Sequence, residues 1–129
     1  MNFTIQDIET IQKNYDFIEA IKRLKRIGVL ACDYNLLTGI FNYYGDNQYH
    51  ITVSSKNLNI EAPEESNPDQ VKNTVDKLQE GGFTFESFCR ELARAGVYTW
   101  EVNLELLHIE YKNQDGQILM RKQIPSFAD

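Results

Sequence analysis

The residues with the most chemical potential in this chain are two carboxylates in matched surroundings, Asp33 and Glu101. Each stands two residues before an asparagine, Asn35 and Asn103. If the strands that carry them lie side by side, the two acids approach each other. Such a pair can share a proton or hold a hard cation. The competing reading makes all four outward residues on the wet face of a one-sided sheet. The histidines, His50 and His108, do not match each other. His108 shares its strand face with Glu110, which suits either proton transfer or an ordinary surface pair.

Other chemistry is excluded by spacing. No His-x3-His or Cys-x2-Cys pair is present, so a structural zinc site is not expected; no metal ligand is assigned, and no cofactor is expected. There is no glycine-rich phosphate loop and no Gly-x-Ser-x-Gly elbow. Cys32 and Cys89 fall on apolar faces and read as small buried hydrophobes. The one basic cluster, Lys22 to Arg26, lies late in a helix, where cations favour the dipole; a solvated face explains it better than a phosphate site.

The elements that position these residues come in two matching sets. Gly28-Val29 and Asn35-Leu36 recur at the same offset as Gly96-Val97 and Asn103-Leu104. So do Phe17, Leu24, Arg26 and Tyr43, as Phe85, Leu92, Arg94 and Tyr111. That makes 8 identities over the 27 positions from Phe17 to Tyr43, against about one or two by chance. In each half, helix signals precede strand signals. Thr4 with Asp7, Asp16 with Glu19, Asn67 or Ser66 before Pro68, and Thr84 are helix starts. Gly28, Gly81-Gly82 and Gly96 are helix stops. Phe3 with Ile8, and Phe83 with Phe88, are placed as hydrophobic staples. Phe85, Phe88, Cys89 and Leu92 form one buried helix face.

Period-two alternation then marks six strands. It puts Cys32, Tyr34, Trp100 and Val102 on the apolar side. The last strand is predicted over Gln117 to Ile124, ended by Pro125. Tyr43 and Tyr44 must point to opposite faces. If Tyr43 is core, Tyr44 is outward and offers a partner surface.

The expected fold is α+β: two ααβββ repeats with pseudo-twofold symmetry, an antiparallel sheet, and helices packed on one face. One domain spans 1–129, with repeat one about 3–53, a linker about 54–66, and repeat two about 67–124. The net charge of −6 argues against nucleic-acid binding. The free thiols, and the lack of an apolar leader or membrane-length apolar run, predict a cytoplasmic chain with no membrane insertion.

The run Phe85 to Trp100, with Tyr111, Gly116-Gln117-Ile118-Leu119 and Gln123-Ile124-Pro125, resembles the YdfO/YbcV-like bacterial and prophage family. Tyr43-Tyr44-Gly45 and Phe3-Thr4 also fit. Members of that family often carry the label "phage envelope protein". The resemblance implies an α+β fold and an unknown function, with no catalytic residues to carry over. It would place a glycine where Gln48 stands. The residues favour a non-enzymatic interaction or binding domain with an unknown protein partner, or a homodimer formed through its open sheet face or an edge strand. The alternative is a small-molecule or metal-binding protein, or an enzyme, with a site between the halves at Asp33, Glu101 and His108.

Overall fold

Reciprocal capping opens the first helix. The Thr4 N–H donates to Asp7 Oδ2 at 2.9 Å, and the Asp7 N–H to Thr4 Oγ1 at 3.1 Å. The helix, α1, runs Ile5–Asn14 and buries Ile8 and Ile11. The computed structural model describes residues 3–14, 17–55, 57–61, 63, 65–78 and 84–124. Asp16, Gly81-Gly82, Phe83 and Pro125, named above as a cap, stops and a staple, lie outside the described residues.

Three more helices follow: α2, Phe17–Arg26; α3, Pro68–Leu78; and α4, Phe85–Arg94. Asn67 Oδ1 accepts the Gln70 N–H at 3.1 Å at the start of α3. Thr84 and Ser87 form a capping box at the start of α4. α2 and α4 end in the same way. The Val29 N–H reaches back to the Leu24 carbonyl and the Val97 N–H to the Leu92 carbonyl, both at 3.0 Å. Gly28 and Gly96 hold φ of 100° and 96° between them.

The strands are β1 Ala31–Asn35, β2 Ile40–Tyr44, β3 His50–Ser54, β4 Thr99–Asn103, β5 His108–Lys112 and β6 Ile118–Gln123. They form one antiparallel sheet in the order β3-β2-β1-β4-β5-β6. Two three-stranded meanders therefore meet edge to edge, through β1 and β4. Alternation drives one face into the core. Cys32, Tyr34, Tyr43, Ile51, Trp100, Val102, Ile109 and Tyr111 are buried there with Ile8, Ile21, Leu24, Val71, Val75, Phe88, Cys89 and Leu92 of the helices. Each large apolar side chain so buried contributes about 1.5–3 kcal/mol.

Some elements depart from expectation. Phe85 is 49% exposed, although its ring lies within 5.4 Å to 6.1 Å of Tyr34, Trp100 and Phe41. A helical side chain leans over the turn before its own Cα, and Phe85 is the first residue of α4, so α4 itself supplies no such turn. β3 extends to Ser54, into the stretch expected as linker. In that stretch Leu58 and Ile60 are buried, and Arg90 donates to the Leu58 carbonyl at 3.0 Å. Gln48 has φ of 65°, beside Asn47 at 55°, so the backbone there is indeed one that favours glycine.

The end of α4 also fixes the approach to α3. The Asn67 N–H donates to the Ala95 carbonyl at 2.8 Å. A Cβ on Gly96 would lie 2.7 Å from Ser66 Cα, whereas one on Gly116 would meet nothing within 4 Å. Gly116 has φ of 79°. Gly116→Ala is therefore expected to cost about 1 kcal/mol, from backbone conformation alone. Gly96→Ala should cost about 2–4 kcal/mol, because overpacking against Ser66 adds to it. Paired urea denaturation curves measure the difference.

Candidate functional site

Among the described residues no helix packs on the second face of the sheet. Lys122, opposite buried Ile109, is on the helical face, but the second face carries most of the polar strand residues. Pairing registers lay them out in rows. One row reads Thr52, Asn42, Asp33, Glu101, Glu110, Arg121, each the cross-strand neighbour of the next. Asp33 and Glu101, expected as a candidate pair, are thus direct partners across β1 and β4. The bonds flanking them, Leu104 N–H to Leu30 carbonyl and Leu36 N–H to Tyr98 carbonyl at 2.9 Å each, place them at a pair that exchanges no backbone bonds. Side chains approach closely at such pairs.

Three adjacent carboxylates repel unless each finds a donor. Glu101 pairs with Lys112, and the hydrogen bond raises the lysine pKa. Glu110 takes Arg121 Nε at 2.9 Å, and that hydrogen bond holds its carboxyl below the usual range. Asp33 takes neutral donors: Asn42 Nδ2 and the Tyr44 hydroxyl, both at 2.9 Å.

From Asp33 the network runs outward to the sheet edge. Asn42 Oδ1 accepts the Thr52 hydroxyl at 2.7 Å and lies 3.0 Å from His50 Nε2. Thr52 Oγ1 is also 3.0 Å from His50 Nε2. Protonation of His50 at Nε2 gives every member a partner of the opposite role. The His50 ring lies nearly parallel to Tyr44, 5.1 Å away with 10° between planes. Burial beneath its neighbours, then the hydrogen bond and charge of Asp33, push the Tyr44 phenol up to about 12. Asn42 and Tyr44 donate to Asp33 directly, while Thr52 donates to Asn42. With that tautomer the Thr52 hydroxyl and His50 Nε2 both donate to Asn42 Oδ1, and the bonds hold these side chains in place.

The other expected residues do different work. Asn35 Oδ1 accepts the N–H groups of Leu37 and Thr38 at 2.9 and 3.1 Å. Asn103 Oδ1 accepts those of Glu105 and Leu106 at 3.0 and 2.8 Å. Both shape hairpin turns. His108 opens β5 with Nδ1 buried and without a hydrogen bond. Tyr44 is outward, as alternation required, and Tyr43 is core. Among the described residues, no group of three or more His, Cys, Asp or Glu is placed to hold a metal. Burial raises both thiols to about 12, with the Asp33 charge adding to the effect at Cys32.

Sequence reasoning did not include Asn42, Thr52, Lys112 and Arg121 in the site. The signal for the first two was present. The Gly45–Tyr49 turn and the alternation of β2 and β3 set Asn42 opposite Thr52, and Tyr44 opposite His50. On the helical side, Lys25 Nζ donates to the Leu104 carbonyl at 2.9 Å and Arg23 pairs with Glu19 at 3.3 Å, so part of the basic cluster is engaged within the fold.

A family model described as a protein of unknown function, DUF1398, matches residues 6–123. No curated protein matches the chain.

If Asp33 raises the Tyr44 pKa, Asp33→Asn should lower it toward the ordinary phenol range. Spectrophotometric titration of each protein, against the same protein carrying Tyr44→Phe, isolates that one ring. The raised pKa also sets a sign. Tyr44 contributes stability that is complete below pH 10 and lost as pH rises toward about 12. At neutral pH, Asp33→Asn should cost about 1 kcal/mol or less.

Proposed function

The chain belongs to the DUF1398 family, and from that premise we propose that it is a non-enzymatic binding domain. Its partner surface is the open face of the sheet around Tyr44. One observation carries this reading: Tyr44 stands 37% exposed on an uncovered face, stacked on His50 and held by Asp33. A ring fixed in place before contact loses little entropy on binding, and tyrosine suits interfaces because it joins an apolar body to a polar tip. The partner is a protein. A free metabolite would call for a concave site with convergent polar groups, and these groups converge on one another.

We also read the two halves as ααβββ repeats about a pseudo-twofold axis between Asp33 and Glu101. The repeated element order, the register that sets those matched positions opposite each other, and the twin turn-forming roles of Asn35 and Asn103 support this. The prophage association and the envelope label rest on the sequence resemblance alone. A cytoplasmic location accords with two free, buried thiols.

Two measurements test the binding reading. A photo-crosslinking residue at position 44 is expected to capture a defined protein in the producing cells, while the same residue at exposed Leu106 does not. In a thermal-shift screen, divalent metals, nucleotides and metabolites should each raise Tm by less than ~2 °C. A compound that stabilises the wild type strongly and Asp33→Asn not at all would replace this reading with a small-molecule site.

A further inference from the structure

The two edges of the sheet are built differently. β6 carries Arg121 and Lys122 side by side and has a register shift opposite Tyr111 and Lys112. Lys122 also reaches Asp76 of α3 at 3.9 Å. Cations and irregularities of this kind keep an edge strand from pairing with another chain. β3, at the opposite edge, reads His50-Ile51-Thr52-Val53-Ser54. It has no Lys, Arg, Asp or Glu and no proline, and its centre is a β-branched run.

The free backbone groups of β3 can be assigned. The Gly45 N–H donates to the Tyr49 carbonyl and the Ser55 N–H to the Gly39 carbonyl, both at 2.8 Å. Antiparallel neighbours exchange bonds at every second residue. Ile51 and Val53 therefore bond inward, to Tyr43 and Phe41. His50, Thr52 and Ser54 turn their N–H and C=O groups outward, and all three residues are exposed. Among the described residues, no strand lies beyond β3.

We infer that β3 is a dimerisation edge whose occupant is β3 of a second copy of this chain, antiparallel, with Thr52 opposite Thr52. The strand is complementary to itself in that register. His50 faces Ser54 and Ile51 faces Val53, so polar meets polar on the open face and β-branched meets β-branched on the helical face. No like charges are opposed, and a Thr–Thr cross-strand pair is favourable. The same pairing at β6 would bring two Arg121-Lys122 clusters together. The outward groups make about six main-chain hydrogen bonds. A pair of five-residue strands buries well under the ~1,200 Å² of a standard interface. The dimer is therefore weak, with Kd in the range of ~10 µM to ~1 mM.

This inference uses backbone groups at the edge, whereas the open-face reading uses side chains and is tested at position 44, so either can fail alone. Sedimentation velocity of the full chain from ~10 µM to ~1 mM should show a monomer–dimer equilibrium. Over the same range, the amides of His50, Thr52 and Ser54 should gain hydrogen-exchange protection. Thr52→Pro removes the central outward N–H, a position where an edge strand tolerates proline. Thr52→Lys sets like charges together at the twofold. Each should weaken the dimer tenfold or more with the circular-dichroism spectrum unchanged, and Thr52→Lys decides the matter if Thr52→Pro does not fold. Arg121→Thr on β6 should leave the equilibrium alone. A chain still monomeric at ~1 mM, a dimer that Thr52→Lys leaves intact, or protection that appears on β6 instead would overturn the assignment.

Discussion

The rest of the structure depends on the pairing of β1 with β4. Each half supplies three strands and two helices, and the core runs across both. Joining them at the Asp33–Glu101 register makes one six-stranded sheet, broad enough for all four helices to share a core. That register also distributes bulk unevenly. Tyr34 falls opposite Trp100, with ring centroids 4.9 Å apart, while Cys32 falls opposite Val102. Phe41 and Tyr111 extend the aromatic row on either side. α4 meets this row with Phe85 and Phe88, the latter 5.9 Å from Trp100. Large side chains on the sheet thus meet large side chains on the helix along one row, while the next row sets the small Cys32 and Val102 between Tyr43 and Ile109. Close packing requires such complementarity.

The same pairing creates an electrostatic problem on the opposite face. It lines up Asp33, Glu101 and Glu110, three like charges on neighbouring strands. The second half resolves this with cations on its outer strands, Lys112 and Arg121. The first half has no cation in reach of Asp33 among its described contacts and uses neutral donors, Asn42 and Tyr44, backed by Thr52 and His50. One flank of the face is therefore an ion-pair lattice, screened by salt and worth little per pair. The other is a directional hydrogen-bond network ending in an aromatic stack.

Much of this was legible in the chain. Thr4 with Asp7, Asn67 before Pro68, Thr84, and the glycines at 28 and 96 named helix ends correctly, because capping is local chemistry between residues a few positions apart. Alternation placed Tyr43 inside and Tyr44 outside. The failures share a cause. Phe85 matched a helical stripe, but periodicity carries no information about whether a turn stands before it. Leu58 and Ile60 sat in a polar stretch without periodicity, yet the edge of α4 had room for them. Leu107 takes φ of 57° where the other hairpin has Gly39 at 75°. Its partial burial and its carbonyl bond to the Ile124 N–H at 2.8 Å offset that conformation.

By itself, then, the sequence determined the helix ends, the buried face of each strand and the registers inside each hairpin. These depend on neighbours within a dozen residues, and turn chemistry closes those loops. Tertiary structure alone decided what lies beside Asp33. A strand's period of two states which face a side chain occupies, but not which strand comes next or in which register. Only the folded sheet sets Glu101 against Asp33, gives Lys112 to one carboxylate and Tyr44 to the other, and leaves β3 as the edge without lysine or arginine. Those relations join residues far apart in the chain, and the energy that selects them comes from burying the two halves together.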